Sequence, residues 1–206
     1  MKRRLIYSIL LAIIWSCQLQ DKEKTNKSEL KSQSIERYEA INNQLNSAKN
    51  CIICDSIQIF KSIEDVLKMN RFKNKVVYLD FWGTRCSPCI EEFNFLPDLK
   101  KKFQNEPIEY LYIVTYDEKR EWDSYREKLW KILIEKHKLT GVNLLVSSNA
   151  QHQFYAKHSN IVDPKWADIV PAYLLFNKQG KVVSFFAPRP SSKEVLYAEI
   201  QKLLNE

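Results

Sequence analysis

The stretch Val76-Val77-Tyr78-Leu79-Asp80-Phe81-Trp82-Gly83-Thr84-Arg85-Cys86-Ser87-Pro88-Cys89 joins a strand to a pair of cysteines at the start of a helix. From Val76 to Trp82 the run is apolar apart from one acid, which is how a strand covered on both faces reads. Gly83 breaks the strand. Ile90, Phe93, Leu96, Leu99 and Phe103 then recur at helical spacing, which predicts a helix over 87–103. Cys86 stands where that helix begins, and unpaired N–H groups and the positive end of the helix dipole favour a thiolate there. Cys86 is therefore the candidate nucleophile, and Cys89, one turn inside, the candidate resolving cysteine. Pro88 suits the first helical turn, where its missing N–H costs nothing, and the two-residue spacer brings the sulfurs within reach of one disulfide. A structural disulfide, or two unrelated buried thiols, is the alternative; a strand before and a helix after favour redox chemistry. Burial of Asp80 without a matched partner would raise its pKa. Its side chain could instead bond local backbone.

The segment Asp80 to Cys89 resembles the active-site segment of the thioredoxin superfamily, and the chain resembles the TlpA-like, membrane-anchored thiol-disulfide oxidoreductases within it. Asp80 stands where the family carries a buried acid, six residues before the first cysteine. Trp82 falls on the aromatic beside the active site. Arg85 replaces the family's usual Trp, which bears on substrate preference, and its charge would depress the thiolate pKa further. TlpA-like members often carry C-x-x-E-x-P: Glu92 matches the acid, Asn94 replaces the proline, and Pro97 places a kink three residues later. Ile169-Val170-Pro171-Ala172-Tyr173-Leu174-Leu175-Phe176 resembles the segment in which a cis-proline precedes a strand and faces the cysteines. The resemblance thus implies a thioredoxin-like α/β fold of three layers, a central mixed sheet flanked by helices. It further implies Cys86, Cys89 and Asp80 as catalytic residues and Trp82, Arg85, Val170 and Pro171 as substrate-binding ones.

Outward toward the N-terminus, Lys2-Arg3-Arg4 and the apolar run Leu5 to Trp15 form an export signal, too short to span a bilayer. Ile14-Trp15-Ser16-Cys17 resembles a bacterial lipobox. Residues 1–16 are then a lipoprotein-type signal peptide, and Cys17 is the lipidated N-terminus that anchors the chain by acyl chains. An ordinary secretory signal or an uncleaved anchor are the alternatives. The formal charge of +7, less the three charges of Lys2, Arg3 and Arg4, leaves +4, and no basic run is interleaved with aromatics. Nucleic acid is therefore not an expected partner. Residues 17–50 are polar and read as a tether, with a short helix over 35–45. A thioredoxin-like domain takes up 51–206.

Cys51-Ile52-Ile53-Cys54 is a second C-x-x-C. Neither pair is followed by His, so haem attachment has no support, and the spacing of the two pairs does not suit zinc. A local disulfide, a relay partner for Cys86 and Cys89, and free thiols stay open for Cys51 and Cys54. His137, His152 and His158 share no metal-ligand spacing; no metal and no cofactor is implied.

The remaining pattern predicts a strand at 57–60, a helix over 62–69 capped by Ser62, and a strand over 108–114. A long helix over 118–138 follows, with Trp122, Tyr125, Leu129, Ile132 and Leu133 on its inner face. Further on come a strand at 144–146, a helical stretch over 151–157 and a hairpin through Gly180 into a strand over 181–186. Ala187-Pro188-Arg189-Pro190 reads as a surface segment. A capping box Ser191-Ser192-Lys193-Glu194 opens a last helix, with Val195, Leu196, Ile200 and Leu203 inward.

The expected function is an extracytoplasmic thiol-disulfide oxidoreductase, a reductase, held at the bacterial cell envelope and facing the periplasm. Protein disulfide substrates and a membrane electron donor are implied by the resemblance alone. The rivals are a thiol peroxidase and a nonenzymatic binding lipoprotein on the same scaffold. Peroxiredoxins carry a Thr three residues before the cysteine, whereas Thr84 is two before Cys86.

Overall fold

The structure, a computed structural model, describes residues 62–116 and 124–206, the strand Ile52–Cys54, and Glu29, Glu36, Glu39 and Asn43. The chain divides into two units, Met1–Ile41 and Asn42–Glu206. The lipobox, Cys17 and the strand expected at 57–60 lie outside the described residues, among which no helix is long and apolar enough to cross a membrane.

Six strands form one mixed sheet: β1 (Ile52–Cys54), β2 (Val76–Trp82), β3 (Ile108–Tyr116), β4 (Val142–Ser147), β5 (Ala172–Phe176) and β6 (Val182–Ser184), in the order β1-β4-β3-β2-β5-β6. β2 lies inside the sheet, parallel to β3 and antiparallel to β5. Every residue of β2 is buried, as its unbroken apolar run requires of a strand with both faces covered.

The helices described from Ile63 onward are α1 (Ile63–Leu67), α2 (Ser87–Glu92), α3 (Leu96–Lys102), α4 (Ser124–Lys136), α5 (Ser148–Lys157) and α6 (Glu194–Asn205). Tyr78 and Trp82, on one face of β2, share a core with Cys89, Leu99, Trp130, Leu196 and Ile200 from α2, α3, α4 and α6, and with Phe93 just after α2. Phe81, pointing to the other face, meets Tyr155 of α5 at a ring separation of 6.3 Å. Two helical layers around a sheet are the expected three-layer α/β architecture. Gly141, at φ +129, leads into β4 against β3, where a Cβ would stand 2.5 Å from the Tyr110 carbonyl oxygen.

Several local expectations need correction. The helix predicted over 87–103 is two helices joined by a 3₁₀ turn at Phe93–Phe95, and Pro97 opens the second one. Pro97 has no N–H and its ring opposes the carbonyl four residues back, so the chain is re-set upstream of the proline instead of kinking at it. On α4 the buried residues are Trp130, Leu133 and Ile134, whereas Tyr125 and Ile132 are 64% and 57% exposed. Burying the large Trp130 selects the arc, and Ile132 lies roughly 200° around the helix from it. Trp122 is outside the described residues.

Near the C-terminus, Val195 is exposed while Leu204 joins Leu196, Ile200 and Leu203 inside. β6 is shorter than expected, although the Ala187 N–H still donates to the Tyr173 carbonyl at 3.0 Å. Ala187 and Pro190 are buried, so the proline-rich segment is not a purely surface one. The capping box does not form: α6 starts after Lys193, at φ +33, without a side-chain cap. Ser191 instead turns to a buried carboxylate of α2. Where caps do form they follow the expected chemistry, the Ser62 hydroxyl accepting from the Asp65 N–H at 3.1 Å.

Candidate active site

β2 runs straight into the site. After Gly83, Cys86 is the N-cap of α2, its sulfur accepting from the Cys89 N–H at 3.2 Å, and Pro88 lies in the first turn. Cys86 and Cys89 form a disulfide with Cα atoms 5.3 Å apart. Cys86 is half-buried and Cys89 fully buried, so an incoming sulfur can reach only the first of the two.

The Val170–Pro171 peptide is cis and precedes β5. A Cβ built on Gly83 would lie 3.6 Å from the Cys86 Cβ and 3.8 Å from Val170 Cγ2, which places the Val170 side chain across Gly83 from the disulfide. Val170, Cys86, the exposed Arg85 and Arg126 line one open groove of about 360 Å³. Trp82 does not belong to that surface. It is 2% exposed and packs edge-on against Phe93 at 5.2 Å, so the expectation that it touches substrate is corrected: a flat β2 with both faces covered keeps it in the core.

On the face of β2 that shares its core with Cys89 lies Asp80, 1% exposed, with no hydrogen-bond partner for either carboxyl oxygen among the described residues. Burial pushes its pKa well above the ordinary aspartate value, and the charge of Glu92 pushes it further in the same direction. Tyr112 of β3 and Tyr173 of β5 stand beside it in register. Tyr173 stacks on Tyr78 at 5.5 Å, and the Tyr78 hydroxyl donates to the Pro188 carbonyl at 2.8 Å. Burial raises the Tyr173 pKa, with the Asp80 and Glu92 charges adding to it.

Glu92 is a site residue that residue-by-residue reading did not select, although it fits the C-x-x-E pattern. It is 7% exposed and accepts two hydrogen bonds from Ser191, from the N–H at 2.9 Å and from the hydroxyl at 2.8 Å. Nothing in the local sequence ties positions so far apart. A second feature missed is an apolar pocket of about 240 Å³ on the far side of Pro171, with Trp166, Ile169, Phe186 and Arg189 at its rim. Trp166 meets Phe186 at 5.2 Å, and Trp166, Ile169, Val170 and Phe186 are all exposed. The signal available in sequence was the aromatic and aliphatic side chains just ahead of the X-Pro step.

Cys54 of the second C-x-x-C is not brought to the disulfide. Cys54 pairs with Leu144, Leu144 with Ile113 and Ile113 with Phe81, so Cys54 is three strands from β2, roughly 14 Å by ordinary strand spacing. Cys51 lies outside the described residues. His137 packs on Phe93, His152 bonds Asp168 at 2.8 Å and His158 packs on Phe154. No group of side chains suited to a metal ion occurs among the described residues.

A buried central strand, a disulfide at the first turn of the next helix and a cis-proline loop across from it define a thioredoxin-like redox domain. The chain belongs to the Redoxin family, whose model matches residues 57–200. It is 26% identical to the thiol-disulfide oxidoreductase ResA of Bacillus subtilis (strain 168) over 117 residues, 57% of this chain and 55% of that protein. It is 28% identical to ResA of Geobacillus thermodenitrificans (strain NG80-2) over 115 residues, 56% of each. The chain thus spans about half the length of the curated relatives it matches. Among solved structures it is similar to a thiol-disulfide oxidoreductase from Bacteroides fragilis NCTC 9343, at 24% identity and a TM-score of 0.48, over 67% of this chain and 88% of that one.

Proposed function

We propose that the protein is a thiol-disulfide oxidoreductase that reduces disulfides in protein substrates outside the cytoplasm. The observation that carries this reading is the pairing of a reachable Cys86 with a buried Cys89, which packs in the core on the face of β2 that carries the buried Asp80, itself without a hydrogen-bond partner among the described residues. In the reduced protein the Cys86 thiolate attacks one sulfur of the substrate disulfide, and the other leaves as a thiolate. Asp80, having given its proton to that departing thiolate as the mixed disulfide formed, takes the proton of the Cys89 thiol. The Cys89 thiolate then attacks Cys86 Sγ in the mixed disulfide and expels the second substrate sulfur, leaving the Cys86–Cys89 disulfide and a protonated Asp80. A raised pKa suits Asp80 to this exchange, since it brings a carboxyl closer to the pH at which it must both hold and yield a proton.

The exposed Val170, Ile169, Trp166 and Phe186 support a protein chain as the substrate, because scattered surface apolars need no explanation but a cluster beside a reactive group does. A resolving cysteine one turn from the nucleophile favours disulfide exchange over peroxide reduction. Export, lipid attachment at Cys17, residence at the cell envelope facing the periplasm and re-reduction by a membrane electron donor complete the proposal, and rest on the N-terminal sequence pattern and the resemblance. The test is the reduction potential of the Cys86/Cys89 pair together with insulin reduction. A potential near thioredoxin's ~ −270 mV with active reduction is the expected result, and one near ~ −120 mV would make the protein an oxidant instead. Folded, fully reduced protein that leaves insulin intact would point to a binding role.

A further inference from the structure

Asp80 and Glu92 are two buried carboxyl groups close enough for the charge of one to act on the other, Glu92 on the helix of Cys89, and their surroundings are unequal. Glu92 has a hydrogen-bond donor at each oxygen, both from Ser191; Asp80 has none among the described residues. Two carboxylates that sense each other in a low-dielectric site do not both stay ionised, and the charge settles on the one that is hydrogen-bonded. We infer that Ser191 is a positioning residue of the redox site: by clamping Glu92 through its N–H and hydroxyl it keeps the buried negative charge on Glu92 and the exchangeable proton on Asp80.

Ser191 belongs to the 3₁₀ turn Pro190–Ser192 that leads into α6, and it is 99 residues from Glu92 in the chain. The unformed capping box is explained by the same contact, since the Ser191 hydroxyl bonds a carboxylate in place of backbone N–H groups. The groups around the pair are Tyr78 on β2 itself, Tyr112 on β3, Tyr173 on β5, Cys89 on α2 and Arg189 just ahead of the 3₁₀ turn. Tyr112 and Tyr173 flank Asp80 on the neighbouring strands, and Arg189 is exposed at the pocket rim, its charge felt at Tyr173. The burial of Asp80 and the charge of Glu92 both act to keep Asp80 protonated.

This inference rests on the proposed oxidoreductase reading but is tested without turnover. In the full-length oxidised protein, with its aspartate carboxyl carbons labelled with carbon-13 and the Asp80 signal assigned through Asp80→Asn, the Asp80 carboxyl is titrated by NMR. The wild-type Asp80 signal is expected to be that of a protonated carboxyl at neutral pH. Ser191→Ala should move its midpoint to lower pH, because Glu92 loses the hydroxyl, one of the two donors that hold its charge, and Ser191→Thr, which keeps both donors, should restore the wild-type curve. An ionised Asp80 in the wild type at neutral pH, or a folded Ser191→Ala protein with an unmoved midpoint, overturns the inference. Should Ser191→Ala fail to fold, Glu92→Gln is the second variant: its Asp80 midpoint falls if the inference holds and stays if it does not. Since no substrate is present, a loss of insulin reduction with the expected titration would overturn the oxidoreductase reading and leave the clamp standing.

Discussion

The chain carries the spacing C-x-x-C twice, and the two copies sit on different backbones. Cys86 and Cys89 straddle the first turn of α2, where residues three apart return to the same side, and their Cα atoms are 5.3 Å apart. Cys54 ends β1, an extended strand at the edge of the sheet, and Ile52 and Ile53 before it are extended too. Three residues of extended chain advance about 10 Å, more than the ~6.8 Å that a disulfide bridges. The same four letters thus sit at the start of a helix in one place and run into an edge strand in the other. A motif acquires its chemistry from the element that carries it.

The largest effects should come from breaking the helical pair. Cys86→Ser should lower insulin reduction on the order of 10³-fold or more, and Cys89→Ser should accumulate a mixed disulfide with substrate, visible as a covalent adduct on nonreducing gels. Full activity in Cys89→Ser would remove the resolving role and favour a peroxidase-like use of Cys86 alone.

Asp80 sharpens the comparison next, because it lies on the strand that leads into the helical copy. The folded protein holds the Asp80 proton to a higher pH than the unfolded chain, whose value is ~3.9. The oxidised protein's stability from this group is therefore complete below that value and lost as pH rises through the folded pKa. Asp80→Asn removes the dependence. Its stability relative to wild type should rise by about 1.4 kcal/mol for each pH unit over the range in which folded Asp80 stays protonated, as read by urea unfolding at a series of pH values. Parallel stability curves for the two proteins would show that Asp80 is ionised in the folded state.

A smaller change is expected at the apolar rim. Trp166→Ala with Phe186→Ala should reduce kcat/KM for insulin about tenfold while iodoacetamide labels reduced Cys86 at the wild-type rate. Slower labelling would mean that the rim shapes the disulfide and does not serve substrate.

The least effect belongs to the strand copy. Cys51→Ser with Cys54→Ser should leave insulin reduction within about twofold, and mass spectrometry of the oxidised wild type should find Cys54 alkylated and the Cys86–Cys89 peptide crosslinked. A Cys51–Cys54 crosslink would break the comparison.

What the sequence determined by itself was local and strongly patterned. The unbroken apolar run of β2 marked a buried strand, Gly83 and the spacing after it marked the cysteine pair at a helix start, Ser62 marked a cap, and the lone acid in an apolar run marked Asp80, all from contacts within a few residues. Tertiary structure decided what local rules leave degenerate. Which arc of α4 is buried depended on where Trp130 fits, and Val195 could be either side of its helix until α6 met the sheet. The break between α2 and α3 came from Pro97 acting on the turn behind it. Only the folded chain brings Ser191 to Glu92 across 99 residues, at the expense of a capping box that sequence alone favours, because a buried carboxylate is the stronger acceptor for its hydroxyl.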